Sequence, residues 1–309
     1  MREQLPDRIL EVSNTTFRPV SPGAEKWLYR PIKCLDYGFV YLVDYMGNDE
    51  AIVQAARTSY GAGTKKTSDD RTLIRYLRRH IHTTPSEMVE WKFHCKMPIF
   101  VARQWIRHRT ASVNEYSGRY SEMLNEFYVP DSSVLKAQSK TNNQGRAEDL
   151  TSEQQVRVLD LLRGEYKSQY AGYQEMLDMD LTKELARIGL SVANYTQWYW
   201  KIDLHNLLHF LRLRLDSHAQ FEIRVFGEAM AQIVKDAVPF SYEAFEDYQL
   251  YAMSFTRLEL DVLSANQWPM SKEDALAVSL EKFGATKNGE IKREGQELLD
   301  KLSRLKFIA

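Results

Sequence analysis

Arginines dominate one short stretch of this chain. From Arg103 to Tyr120 it reads Arg-Gln-Trp-Ile-Arg-His-Arg-Thr-Ala-Ser-Val-Asn-Glu-Tyr-Ser-Gly-Arg-Tyr, four arginines and one histidine against a single carboxylate, Glu115. Arg103 and Arg107 stand one helical turn apart, so on a helix they share a face and repel unless an anion compensates them. A bound phosphate would do so. Just beyond, Ser117-Gly118-Arg119 offers backbone N–H groups, a hydroxyl and a guanidinium that can surround one phosphate or carboxylate. Glu115 can orient an arginine or accept a proton from a ligand. A solvated basic face is the plain alternative, opposed by Trp105, Ile106 and Tyr116 among the charges. Arginine interleaved with aromatics also suits single-stranded nucleic acid.

Metal and thiol chemistry have weaker claims. His80 and His82 flank Ile81, and His205 and His209 stand at i and i+4 with Arg212 three residues further, yet neither pair has a third ligand at recognisable spacing. No metal is expected. Cys34 and Cys95 form no CxxC pair. Cys95 alternates with Trp91 and Phe93 onto the apolar side of 89–97, which marks a buried strand residue rather than an activated thiol. Gly61-Ala-Gly63 opens like a dinucleotide loop, but Lys66 occupies the third glycine position and no strand leads into it, so it reads as a turn.

The chain has 309 residues, a formal net charge of -1 and 44% hydrophobic residues. That is the balance of a globular protein with a substantial core, and its near-neutral charge argues against general nucleic-acid binding. Positive charge is local instead, which suits a small anion. No apolar run reaches membrane-spanning length, and Arg2, Glu3, Asp7 and Arg8 interrupt any secretion signal, so a cytoplasmic protein without membrane contact is expected.

Several elements must position the arginine block. Residues 1–35, with Pro6, Pro19, Pro22 and Pro31, read as an extended or loosely packed N-terminal extension. Cys34–Val43 predicts a strand, Asn48 caps a helix ending near Gly61, and Ser68 caps another reaching His80. After the loop 82–87, the alternation over 89–97 predicts a strand, and Pro98 begins the helix that carries Arg103, Gln104 and Arg107. The polar stretch 131–154 predicts a surface loop. Thr151 or Ser152 then caps a long helix with an aromatic stripe at Tyr166, Tyr170 and Tyr173, suited to a core or a subunit interface. A short helix over 181–189 holds Arg187, and Tyr195–Trp200 predicts a strand. Asp203 caps the helix 204–215. Helices follow over 222–238, 240–251, from Ser271, and over 290–305.

Arg107-His108-Arg109, followed after seven residues by Ser117, resembles the signature of the flavin-dependent thymidylate synthases, and Asn114, Glu115, Ser117, Gly118, Arg119 and Tyr120 extend the match. Leu211-Arg-Leu-Arg214-Leu-Asp-Ser-His218-Ala-Gln220 resembles the family's second block. The similarity runs from about Ala51 to about Tyr248. It implies an α/β fold of α+β type, one central mixed β-sheet flanked by helices. A single catalytic domain would span 36–250, between the extension 1–35 and a helical C-terminal extension 251–309.

The resemblance also implies reductive methylation of dUMP to dTMP, with methylenetetrahydrofolate as carbon donor, bound FAD as hydride carrier, NADPH as reductant and no cysteine nucleophile. The sites would be shared between subunits of a homotetramer. Carried over by position, Gln104, Trp105, Ile106, Arg107, Glu115, Tyr116, Ser117, Gly118, Arg119, Arg187 and Arg214 would bind dUMP. Arg214 would also be catalytic, favouring ionisation at N3 of the pyrimidine. Thr84, Arg107, His108, Arg109, Glu115, Asp203, Leu204, His205 and His209 would bind FAD, and His82 would touch flavin or folate. Asp203 and His205 depart from the family's commoner Asn and Arg, the first adding negative charge and the second being a weaker phosphate partner. Two other outcomes of the same pattern are a catalytically silent nucleotide-binding relative and a folate- and FAD-dependent uracil methylase acting on RNA.

Overall fold

The computed structural model describes residues 17–59, 69–138 and 146–308. Seven strands occur among them: β1 Ile32–Cys34, β2 Gly38–Met46, β3 Glu90–Pro98, β4 Ser112–Glu115, β5 Lys136–Gln138, β6 Arg146–Asp149 and β7 Tyr195–Asp203. Five build a central sheet in the order β1-β2-β3-β7-β4, while β5 and β6 pair separately. The expected α/β architecture, a central sheet flanked by helices, is present. Every neighbouring pair in the sheet is antiparallel, and a parallel bridge joins Leu28 to Leu42 beside it.

Alternation assigns the two faces of the sheet. Trp91, Phe93, Cys95 and Met97 of β3 and Trp198, Trp200 and Ile202 of β7 are buried in one core with the helices Ile99–Trp105, Leu204–Arg214 and Phe221–Ala237. The last of these turns Ile223, Phe226, Met230, Ile233, Val234 and Ala237 inward at helical spacing. On the other face lies a polar row set by register, Asn114 opposite Tyr199, Tyr199 opposite His94, and His94 opposite Tyr41. His94 bonds Tyr41 Oη at 2.6 Å and Gln197 Oε1 at 3.1 Å, and burial lowers its pKa.

Local differences from the sequence reading have local causes. The expected strand 34–43 is a hairpin, β1 and β2, turned at Leu35, whose φ of 58° an aliphatic residue rarely adopts. The helix Asp70–Arg79 is capped by Asp69, whose carboxylate accepts from Thr72 N; Ser68 lies outside the described residues, as do Gly61, Gly63 and Lys66. Within 131–154 the strands β5 and β6 pair antiparallel. From Ser21 the N-terminal segment is anchored, because Ser21 Oγ donates to Ala237 O at 2.7 Å and Trp27 Nε1 donates to Asp236 Oδ2 at 2.7 Å. Thr151 closes a capping box with Gln154 at the start of the helix Ser152–Asp178.

A compact unit ends at Leu250, and a second runs from Tyr251. The second contains the helices Arg257–Ala265, Lys272–Phe283 and Arg293–Arg304 around Val262, Phe283, Leu298 and Leu302. Inside it Lys301 Nζ reaches both oxygens of the buried Glu259, at 2.6 and 2.9 Å.

Candidate active site

The helix Leu204–Arg214 organises the candidate residues. Asp203 ends β7 and caps the helix, one carboxylate oxygen accepting from Asn206 N at 2.9 Å and the other from Asn206 Nδ2 at 2.7 Å. Leu204 N donates to Val89 O at 2.8 Å. Leu204, Leu207, Leu208, Phe210 and Leu211 are buried, leaving His205, His209, Arg212 and Arg214 on the outer side of the helix. Asp203 is therefore engaged as a cap and Leu204 points its side chain into the core, so contact between Leu204 and a ligand is left to its backbone.

Arg214, at the far end of this helix, meets His108. Its Nε and Nη2 lie 3.2 and 2.9 Å from His108 Nε2. Burial, then the charge of Arg214 and the neighbouring His209, pushes the pKa of His108 down to about 4. The imidazole is neutral at pH 7, and its Nε2 lone pair accepts from the guanidinium, which puts the proton on Nδ1. The His108 ring stands edge-on to Phe210, with centroids 4.9 Å apart. Behind Arg214 lies Gly227, where a Cβ would come within 3.2 Å of Arg214 Cβ. The arginine is thus held from two sides, and its remaining N–H groups have no further hydrogen-bond partner among the described residues.

The rest of the arginine block flanks His108 along the chain. Arg103, on the helix Ile99–Trp105, and Arg107 and Arg109 just beyond it are exposed, and none has a carboxylate partner among the described residues. Gln104 donates through Nε2 to Gln220 Oε1. Trp105 is wholly buried, edge-on to Trp198 and Trp200 and stacked on Phe210. Its indole is a core group, so any nucleotide contact there falls to its backbone, while Ile106 is exposed.

A second group forms around the turn after β4. Thr196 Oγ1 donates to Glu115 Oε1 at 2.7 Å, and Tyr116 Oη donates to Glu122 O at 2.6 Å. Ser117 O accepts from Tyr120 N and Ser121 N, each at 3.1 Å. Gly118 is buried, and a Cβ there would lie 2.8 Å from Met123 Sδ and 3.0 Å from Arg187 Cδ. Only glycine lets Arg187 lie across this turn. Arg119 Nε pairs with Glu184 at 2.8 Å, both side chains well exposed, a contact worth at most about 1 kcal/mol. Among the described residues no hydrogen bond or ion pair joins this group to Arg214 or His108.

The loop before β3 completes the set. Thr84 opens the single turn Thr84–Glu87, which packs on the helix Leu204–Arg214; His82 and Thr84 are exposed, and His82 lies edge-on to Tyr76. His205 is half-buried with its Nδ1 unpartnered, and its pKa is lowered by burial and by Arg78. Arg78, not singled out from sequence, is a buried guanidinium behind this loop. An anionic group would find donors here: the orphaned His205 Nδ1 and the Arg78 guanidinium, which has no carboxylate partner among the described residues, are features a dinucleotide diphosphate fits. Among the described residues no cluster of three His, Cys, Asp or Glu side chains could hold a metal ion, and no helix is long and apolar enough to cross a membrane.

The arrangement gathers cationic and neutral donors that could hold an anion. Residues 41–240 match the family model described as thymidylate synthase complementing protein. The flavin-dependent thymidylate synthase of Ruegeria pomeroyi is 56% identical over 252 residues, covering 80% of this chain and 83% of the relative. That of Rickettsia bellii is 50% identical over 300 residues, covering 93% and 98%. Among solved structures, a UMP/dUMP methylase, PolB of Streptomyces cacaoi bound with 5-Br UMP, is similar with a TM-score of 0.64 at 33% identity, covering 71% of this chain and 98% of that one. The chain belongs to the flavin-dependent thymidylate synthase family and is an enzyme.

Proposed function

We propose that this enzyme methylates dUMP to dTMP, taking the carbon from methylenetetrahydrofolate and the reducing equivalents from NADPH through bound FAD. The observation that carries the reading is the His108–Arg214 pair together with Arg103, Arg107 and Arg109, none of which has a carboxylate partner among the described residues, charges that a nucleotide and a dinucleotide would compensate. FAD, when bound, supplies hydride chemistry that no side chain offers. Arg107, His108 and Arg109, with Thr84, His205 and His209, would hold it; Asp203 and Glu115 would contribute through their remaining lone pairs, and His82 would touch flavin or folate.

Ser117, the backbone of Gly118, Arg119 and Arg187 would receive the dUMP phosphate, with Gln104 and Tyr116 beside the nucleotide. Arg214 would donate to the pyrimidine at O4 or N3 and stabilise the base as its N3 proton leaves. Neutral His108 holds that guanidinium in orientation without adding a competing charge. A thiol route fits poorly: burial pushes Cys34 up to about 12 and Cys95 well above its ordinary value, so neither offers a thiolate at neutral pH. The family resemblance supports sites completed between subunits of a homotetramer.

The test is an absorption spectrum near 450 nm followed by NADPH addition with and without dUMP. Flavin bands that bleach, faster with dUMP present, are expected, as is a tetrameric mass by sedimentation. A protein that stays colourless after incubation with FAD would overturn the reading.

A further inference from the structure

The helix Asp70–Arg79 carries four arginines, and three have partners suited to a surface. Arg71 chelates Glu243 at 2.9 and 2.8 Å, Arg75 reaches Glu243 at 2.5 Å and Asp247 at 2.7 Å, and Arg79 lies over the Tyr248 ring. Arg78 differs. It is only 8% exposed, and its guanidinium meets two neutral oxygens at long range, Gln249 Oε1 at 3.4 Å and Ser86 Oγ at 3.3 Å. No carboxylate pairs with it among the described residues. An ion buried without a counter-charge costs several kcal/mol. Desolvation lowers its pKa to about 10, so it is nevertheless charged at pH 7.

Its position says what the charge is for. Ser86 belongs to the turn Thr84–Glu87 packed on the helix Leu204–Arg214, and His205, on that helix's first turn, feels the charge of Arg78. Glu87 and Asp203 pull His205 the other way, yet burial and Arg78 prevail and the imidazole is neutral. His205 Nδ1 is buried and unpartnered. A buried cation and an orphaned ring nitrogen therefore converge on one wedge between the loop and the helix.

We infer that Arg78 is a cofactor-binding residue whose counter-ion is the diphosphate of the flavin dinucleotide, bound together with His205 Nδ1. The assignment rests on the flavin reading above. It explains why this guanidinium, unlike Arg71 and Arg75 on the same helix, is withheld from the surface carboxylates. The dinucleotide would compensate the buried charge, so binding and local stability are coupled at this residue.

The test compares wild-type protein with Arg78→Met, measuring the apo melting temperature and the dissociation constants of FAD and of riboflavin, which lacks phosphate. Expected for Arg78→Met are an apo melting temperature at or above wild type, at least tenfold weaker FAD binding, and riboflavin binding unchanged within twofold. Adding His205→Arg to Arg78→Met should recover most of the FAD affinity. Independently of any variant, ADP and inorganic pyrophosphate should raise the melting temperature of the apo wild type and adenosine should not. Equal FAD affinity in Arg78→Met, an equal loss for FAD and riboflavin, or no response of wild type to pyrophosphate and ADP would each overturn this assignment while leaving the flavin reading intact. Failure of wild type to bind FAD would overturn both.

Discussion

Removing the acceptor behind Arg214 gives the most direct test of the site. In His108→Leu the volume is roughly kept, but Nε and Nη2 of Arg214 lose the nitrogen they reach at 3.2 and 2.9 Å. A hydrogen bond involving a charged group contributes about 1.5–3 kcal/mol, so loss of orientation should slow the dUMP-dependent oxidation of reduced flavin by roughly 10- to 150-fold. FAD affinity is measured alongside, since His108 is also assigned to the cofactor, and the rate is compared at saturating FAD. A second readout comes from proton linkage. The pKa of His108 is about 4 in the fold against 6.5 for a free side chain. Between those values the unfolded chain binds the extra proton, so this contribution is fully present above pH 6.5 and is lost as pH falls through 4. Undiscounted it approaches about 3 kcal/mol, and screening of the half-exposed ring reduces it to the order of 1 kcal/mol. Urea melts from pH 4 to 7 should show a shallower rise in the variant. A rate within threefold of wild type, together with an unchanged pH slope, would refute the role given to this pair.

Three further outcomes follow from the same geometry. Gly118→Ala puts a methyl against Met123 Sδ and Arg187 Cδ and should weaken dUMP binding at least tenfold by calorimetry, with FAD affinity unaffected. Arg119→Ala should cost dUMP binding about 1.5–3 kcal/mol, because its partner Glu184 is a weak surface contact that the phosphate replaces; unchanged affinity removes Arg119 from the site. In the unit beyond Tyr251, Lys301→Met strands the buried carboxylate of Glu259 and should destabilise that unit by about 3–5 kcal/mol, seen as an earlier transition in calorimetry.

What could be read in advance was what repeats locally. The alternation Trp91-Phe93-Cys95 marked β3, the aromatic run from Tyr195 marked β7, and the caps Asn48, Thr151, Asp203 and Ser271 sit where their side chains accept helix N–H groups. The turn at Leu35 was hidden because its positive φ falls on a residue that rarely adopts one. The β5–β6 pair was hidden because the polar run over 136–149 shows no apolar period. Arg78 could not be told from Arg71, Arg75 and Arg79 by spacing; only burial separates them. Resemblance marked both His108 and Arg214, but their contact and its consequence for the imidazole's charge depend on how the segment after the helix Ile99–Trp105 meets the end of the helix Leu204–Arg214.

The ladder also maps where the chain can accept changes of length. Glu115 lies opposite Trp198, so everything between β4 and β7 leaves the sheet and returns beside its point of departure. Doubling such an excursion costs only about 0.6 kcal/mol in closure entropy. Insertions in this excursion that stay clear of the Ser117–Arg119 turn, of the paired strands β5 and β6 and of Arg187 should therefore be nearly silent, making it the natural place to splice in a tag or a second module. One residue added within β3 or β7 would instead exchange the tryptophan face for the histidine–tyrosine face along the whole strand. Evolution and engineering have latitude on one side of that boundary and almost none on the other.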